Sequence, residues 1–256
     1  MRKNFEGKSV LITGGGTGIG KATALEFARE GAAVFITGRR EEKLAEAARE
    51  AEAEGLGILF AVSDISREED CRSAVGLAVR AMGGLDILFN NAGVLVPGVL
   101  HETGTTAWET TFRVNVRGTW LMSKFAIPHM LSRGRGWIVN NASIVGLRGF
   151  AGLSAYTASK GAVIQLTRSM ALEYADRGIN VNAVCPGTTV TPLVTEGFMK
   201  RVPDPEEGMR FMKSLHPMGR LALPEEVARA VLFLCDERSA FITGAALPVD
   251  GGWCAR

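Results

Sequence analysis

The sequence holds two tyrosines, and one of them, Tyr156, stands four positions before Lys160 in the run Tyr156-Thr157-Ala158-Ser159-Lys160. On a helix that spacing puts both side chains on one face. A neighbouring ammonium favours phenolate over phenol, and bringing a tyrosine from a pKa of about 10 toward 7 takes roughly 4 kcal/mol of differential stabilisation. A phenol tuned in this way exchanges a proton with an alcohol near neutral pH. The same spacing also arises where an aromatic ring merely packs beside a lysine stem. Upstream, the apolar run at 137–140 leads into Asn141-Ala142-Ser143. A serine at the carboxyl end of a strand faces the ligand crevice of an open α/β sheet, where its hydroxyl can polarise a carbonyl; it is equally a turn former. Asn141 and Val145 stand where a hydrolase nucleophile elbow needs glycines, so that chemistry is not supported.

A second cluster lies near the start of the chain, in Thr13-Gly14-Gly15-Gly16-Thr17-Gly18-Ile19-Gly20. The spacing T-G-x-x-x-G-x-G, with Gly14, Gly18 and Gly20, replaces the commoner G-x-G-x-x-G. A glycine-rich turn between a strand and a helix lets backbone N–H groups and the positive helix end approach a pyrophosphate. By itself it is also a tight strand-to-helix turn, and its place after the first strand favours nucleotide binding. The second strand runs into Arg39 and Arg40 with no carboxylate at its end. An acidic residue there suits the ribose of NAD, whereas guanidinium groups suit the extra phosphate of NADP. Glu41 and Glu42 follow directly, so a solvated, locally neutralised arginine pair is the competing reading.

These residues need a scaffold. Short aliphatic runs at 9–13, 33–37, 58–62, 87–90, 137–140, 180–184 and 245–249 read as seven buried strands. Between most of them, helical spacing spans 19–30, 41–54, 68–82, 106–130, 155–176 and 224–235. The alternation predicts an α/β fold: a doubly wound, seven-stranded parallel sheet with helices on both faces. Gly31 stands where a helix C-cap is wanted, and Pro224 where a first helical position tolerates a missing N–H. No repeat or linker divides residues 1–256, so one domain is expected. The stretch 188–223 breaks the rhythm with Gly197, Pro203, Pro205, Gly208, Pro217 and Gly219, and reads either as a lid or binding loop or as a surface loop with short helices packed on their own side chains.

With 46% hydrophobic and 22% charged residues the composition is that of a globular protein, and a net charge of +2 supplies no field to draw it to nucleic acid or an anionic membrane. The four cysteines form no C-x-x-C pair and have three histidines beside them, which favours neither a disulfide scaffold nor a metal site. Apolar runs are too short for an export signal or a membrane span, so a cytoplasmic location is expected.

Taken together, these residues resemble the short-chain dehydrogenase/reductase family, in its short cytosolic single-domain form, over nearly the whole chain. The resemblance rests on the Thr13–Gly20 turn, Asp64, Asn90-Asn91-Ala92-Gly93, Asn115, Ser143, Tyr156 with Lys160, Pro186-Gly187 with Thr191, and Asp250-Gly251-Gly252. It implies that Tyr156 is the general acid/base and that Ser143 holds the substrate oxygen. Lys160 would lower the tyrosine's pKa and bond the nicotinamide ribose, and Asn115 would position a water that passes the proton onward. For the cofactor it implies Gly14, Gly16, Thr17, Gly18 and Ile19 at the pyrophosphate, and Asp64 with Ile65 at the adenine. Asn91, Ala92 and Gly93 would line the adenosine side, and Pro186, Gly187, Thr189 and Thr191 the nicotinamide end.

The implied activity is hydride transfer between NADP(H) and a secondary alcohol or ketone, with 3-oxoacyl thioesters as an extension and no metal. NADP-dependent members often carry a basic residue where this chain has Thr17, so the preference rests on Arg39 with Arg40, and NAD(H) stays open. Other implied properties are a small-molecule partner and a homo-oligomer, commonly a tetramer, pairing the helices at 106–130 and 155–176. Leu121, Met122 and Phe125 are expected not all to point inward. Substrate walls are expected from Leu147, Phe150, Leu153, Phe198 and Met199, with Arg148 as a reader of anionic groups or an exposed loop residue. A catalytically silent dinucleotide-binding sensor or structural subunit is the alternative, against which the presence of Ser143, Tyr156, Lys160 and Asn115 argues.

Overall fold

Val10, Leu11 and Ile12 can be satisfied only where both faces of a strand are covered, and β1 (Ser9–Thr13) is buried along its whole length. In this computed structural model, which describes residues 4–198 and 204–256, β1 pairs in parallel with β2 (Ala33–Gly38) on one side and β4 (Ile87–Asn90) on the other. β3 (Ile58–Val62) lies outside β2, and β5 (Gly136–Asn141), β6 (Ile179–Pro186) and β7 (Ala246–Val249) extend the sheet beyond β4. The order β3-β2-β1-β4-β5-β6-β7 is parallel throughout, and the winding reverses between β1 and β4. A crevice opens at the carboxyl ends of the strands at such a reversal.

The helices α1 (Gly18–Arg29), α2 (Glu41–Ala53), α3 (Glu68–Met82), α4 (Thr105–Phe112), α5 (Thr119–Ser132), α6 (Ser154–Tyr174), α7 (Pro205–Ser214) and α8 (Pro224–Cys235) divide between the two faces. The period of two along β1 does the sorting. Val10 and Ile12 belong to one buried cluster with Leu25 and Phe27 of α1 and Val231 of α8, while Leu11 belongs to another with Val75 of α3, Leu121 of α5 and Met170 of α6.

Two departures from the sequence reading follow from packing. β3 is an edge strand, with Leu59 and Val62 about half exposed, because no strand flanks it on its outer side. The single helix expected over 106–130 is α4 and α5 joined by a π-helical stretch, Arg113–Gly118. Leu121 and Met122 are both fully buried and both point inward, since α5 is wedged between the sheet and its neighbouring helices; Phe125 is half-buried under Arg72. The irregular stretch contains a short helix, as one of its two readings had it: α7 starts where Asp204 Oδ1 accepts the N–H groups of Glu206 and Glu207 and Pro205 takes the first turn. Among the described residues no helix is long and apolar enough to cross a membrane.

Candidate active site

At the carboxyl end of β1 the chain turns through Gly14 and Gly18 with φ of +66° and +54°, a backbone that side chains oppose. Gly20 is required for a different reason: a Cβ there would fall 2.3 Å from the Gly14 carbonyl oxygen. Asn91 fastens the turn, its Nδ2 donating to the carbonyls of Thr13 and Gly14 at 3.0 and 3.1 Å. The Thr17 hydroxyl does not cap α1, and no acidic side chain sits in its first turn. The positive end of α1 therefore meets the crevice without an internal anion.

That crevice is a cavity of about 520 Å³ lined by Gly14, Gly16, Thr17, Gly18, Ile19, Arg39, Arg40, Asp64, Ile65, Asn91, Ala92, Gly93, Tyr156, Lys160 and Thr191. Arg39 and Arg40 are exposed on its rim, and among the described residues neither forms an ion pair, with Glu41 and Glu42 or otherwise. Burial pushes the Asp64 carboxyl up, but the Ser66 N–H and the charges of Arg39 and Arg113 outweigh it and hold the group below its ordinary value. The remaining expected cofactor residues, Pro186, Gly187 and Thr189, line an adjoining apolar cavity of about 140 Å³. A larger groove of about 610 Å³ between α3 and α5 shares no residue with either cavity.

Tyr156 lies on the wall common to both cavities. α6 presents Tyr156 and Lys160 one turn apart, with Nζ 5.6 Å from the phenol ring centre. The ammonium bonds elsewhere, donating to the carbonyl oxygen of Asn141 at 2.6 Å. Burial pulls Lys160 down to about 8. It pushes the Tyr156 phenol up to about 12, with the neighbouring Ser143 hydroxyl offsetting part of the rise. The expected lowering of the phenol by Lys160 is thus not produced by these side chains alone, because desolvation exceeds the attraction of an amine turned to a carbonyl.

Ser143 is buried at the end of β5, its Oγ accepting the N–H of Val145 at 3.4 Å. Asn115 lies in the π-helical stretch and lines neither cavity. Its amide clamps the strand exit at Val94, accepting from the backbone N–H at 2.8 Å and donating to the carbonyl at 2.9 Å, and also donates to Ser159 Oγ at 3.0 Å. A Cβ on Gly93 would approach Asn115 Oδ1 and Lys160 Nζ to 3.3 and 3.6 Å, so Asn115 sits behind the reacting groups. Thr189 Oγ1 donates to the Gly187 carbonyl at 3.0 Å, which keeps the β6 exit tightly turned.

Several residues in this arrangement escaped the sequence reading. Asn141 joins the two clusters, since its carbonyl holds Lys160 and its Nδ2 donates to Asn91 Oδ1 at 2.9 Å. Gly146 admits α6, because a Cβ there would lie 2.7 Å from the Lys160 carbonyl carbon. Leu193, Val194, Met212, Leu215 and Trp253 join Phe150 and Leu153 in the apolar cavity, whereas Leu147 and Arg148 stand outside it. Met199 lies outside the described residues, and Phe198 closes the helical turn Leu193–Phe198. The signal for Met212 and Leu215 was their three-residue spacing; nothing local marks Trp253.

Comparison with known proteins agrees with this geometry. A family model described as enoyl-(acyl carrier protein) reductase, one of the short-chain dehydrogenase/reductase models, matches residues 14–254. The chain belongs to the short-chain dehydrogenase/reductase family. It is 42% identical to glucose 1-dehydrogenase of Gluconobacter oxydans, covering 98% of this chain and 93% of the relative. It is 40% identical to 2-(S)-hydroxypropyl-CoM dehydrogenase 3 of Xanthobacter autotrophicus over the full length of both. The crystal structure of levodione reductase superposes with a TM-score of 0.94 at 32% identity, covering 98% of this chain and 99% of that one. As a short-chain dehydrogenase/reductase, the protein is an NAD(P)(H)-linked oxidoreductase acting on CH–OH groups.

Proposed function

We propose that the protein interconverts a secondary alcohol and a ketone with NADP(H), Tyr156 exchanging the proton. The observation that carries this reading is the position of Tyr156 on the shared wall of a long polar cavity and a small apolar one, with Ser143 beside it and Lys160 behind.

The residues present fit a dinucleotide. The glycine turn leaves no Cβ between backbone and ligand, the N-terminus of α1 carries no internal anion, and Arg39 and Arg40 are uncommitted where a 2′-phosphate would lie. Asp64 with Ile65 would hold the adenine, Asn91 to Gly93 the adenosine side, and Pro186, Gly187, Thr189 and Thr191 the nicotinamide end. When bound, the dinucleotide supplies or accepts the hydride and, when oxidised, brings a positive charge that favours phenolate.

In the reducing direction the Ser143 hydroxyl donates to the substrate carbonyl, and Tyr156 delivers its proton to the oxygen as negative charge develops there. Lys160 would bond the nicotinamide ribose of a bound dinucleotide, and its ammonium keeps a positive charge behind the phenol. Asn115 fixes the Val94 exit and with it the path by which a water returns the proton. Leu193, Val194, Met212 and Leu215 would contact the substrate from the segment that follows β6. The same reading makes the protein a cytoplasmic homotetramer, on the pattern of the short cytosolic form it resembles.

Nicotinamide absorbance followed against a panel of ketones tests it: wild type turns over and Tyr156→Phe loses at least 100-fold in kcat. Full turnover by that variant would sink the mechanism. Inactivity of wild type across a broad panel, with coenzyme bound, would favour the silent-sensor reading.

A further inference from the structure

Among the described residues, the Arg148, Asp250 and His216 side chains beside the apolar cavity are each held by other partners. The Arg148 guanidinium donates to the backbone carbonyl of Arg256. The Asp250 carboxylate accepts the N–H groups of Gly252 and Cys254 at 2.9 and 2.8 Å. The His216 ring spans the Asp250 carbonyl and the Thr188 N–H. Among the described residues no charged side chain lines the cavity itself.

Its polar side chains are Asn141, Ser143, Tyr156, Thr188, Thr189 and Thr191. Ser143 and Tyr156 face the reacting oxygen, while Thr189 Oγ1 is spent on the Gly187 carbonyl and Thr188 Oγ1 faces the Met212 sulfur. The apolar side of the wall includes Phe150, Leu153, Leu193, Met212, Leu215 and Trp253. Among the described residues a substrate carboxylate would meet no cation there, and most of a sugar's hydroxyls would face apolar side chains. Size narrows the choice further. The cavity measures about 140 Å³, close to the roughly 150 Å³ aliphatic cavity that accepts one benzene ring.

We propose that the preferred substrate is a neutral, compact alicyclic secondary alcohol or its ketone, about one six-membered ring in size, seated against Trp253. This rests on the reading that the cavity beside Tyr156 receives the substrate. It separates the protein from an enzyme of polyols and from one of anionic or thioester-bearing alcohols.

The test compares cyclohexanone, 4-oxocyclohexanecarboxylate and acetoacetyl-coenzyme A in reduction, and cyclohexanol against glucose in oxidation, with the coenzyme-loaded protein. Cyclohexanone and cyclohexanol are expected to exceed each polar counterpart at least 100-fold in kcat/KM; a polar substrate within tenfold would overturn the proposal while leaving the reaction class intact. Thermal shift with coenzyme reads the cavity independently of chemistry: cyclohexanone raises the melting temperature and the carboxylate does not, and the reverse order would overturn the proposal. Binding of cyclohexanone without turnover of any substrate would instead defeat the proposed reaction. Trp253→Ala is expected to shift kcat/KM at least tenfold toward the larger ketone 2-decalone relative to cyclohexanone; an unchanged ratio would remove Trp253 from the wall and overturn the seating.

Discussion

Lys160 holds its ammonium 2.6 Å from the carbonyl oxygen of Asn141, so the end of β5 and the first turns of α6 are joined through the amine that stands behind Tyr156. The same Asn141 reaches Asn91, and Asn91 reaches the glycine turn. One chain of hydrogen bonds therefore ties Lys160, one turn from Tyr156, to the glycine turn.

That arrangement is costly to the fold. A lysine whose proton is held at about 8 in place of 10.5 costs about 3 kcal/mol of stability at neutral pH. Below pH 8 both folded and unfolded chains carry the proton, and the cost is full. Between 8 and 10.5 the folded chain gives its proton up while the unfolded chain keeps it, and the cost falls away. Lys160→Met leaves the Asn141 carbonyl without its donor, a loss of about 1 kcal/mol. The ligand-free variant is therefore expected to be more stable than wild type by about 2 kcal/mol at pH 7, with the gain vanishing toward pH 10.5, while activity drops at least 100-fold. Denaturant titration at both pH values checks it.

A phenol held up at about 12 by burial keeps its proton through the usual working range. It is ready as an acid for ketone reduction and must be ionised for alcohol oxidation. Oxidation is expected to rise at least tenfold in kcat/KM between pH 7 and 10, with reduction staying flat over the same range. Profiles measured in both directions decide it, and a flat oxidation profile counts against Tyr156 as the base.

Coenzyme choice turns on the cavity rim. Arg39→Ala is expected to raise the KM for NADP(H) at least tenfold and to change that for NAD(H) less than threefold. Equal efficiency of wild type with both coenzymes would remove the preference.

The close approach at Gly146 makes a sharper structural prediction. Even alanine there would press on the α6 backbone and push the Ser143 turn away from Tyr156. Gly146→Ala is expected to cost about 2 kcal/mol and to lower kcat at least tenfold, with coenzyme affinity changed less than threefold. A variant with wild-type kcat would show that the turn has room to move.

On the outer helices Trp108, Trp120 and Leu172 remain exposed, at 39%, 44% and 86%. Pairing of these helices between copies would cover such surface. Sedimentation at micromolar concentration is expected to give four chain masses, and Leu172→Arg to lower the assembly state; a stable monomer would refute the tetramer.

Much of this was legible locally. The strands Ser9–Thr13, Ile58–Val62 and Ile87–Asn90 and the helices Glu68–Met82 and Pro224–Cys235 begin and end where the residue pattern placed them. Strand and helix periods and caps are set by neighbouring residues, and so is the shared face of Tyr156 and Lys160. The glycine turn belongs to the same class, because its backbone demands sit within a few residues.

What only the tertiary structure decided is what those groups face. Leu121 and Met122 both turn inward because α5 is covered on more than one side. Trp253, Met212 and Phe150 share a wall although far apart in sequence, and Lys160 turns to Asn141. Desolvation at Tyr156 and Lys160 depends on how densely distant segments surround them. Periodicity carries the shape of each element, whereas burial, and with it acidity and substrate choice, arises only when those elements meet.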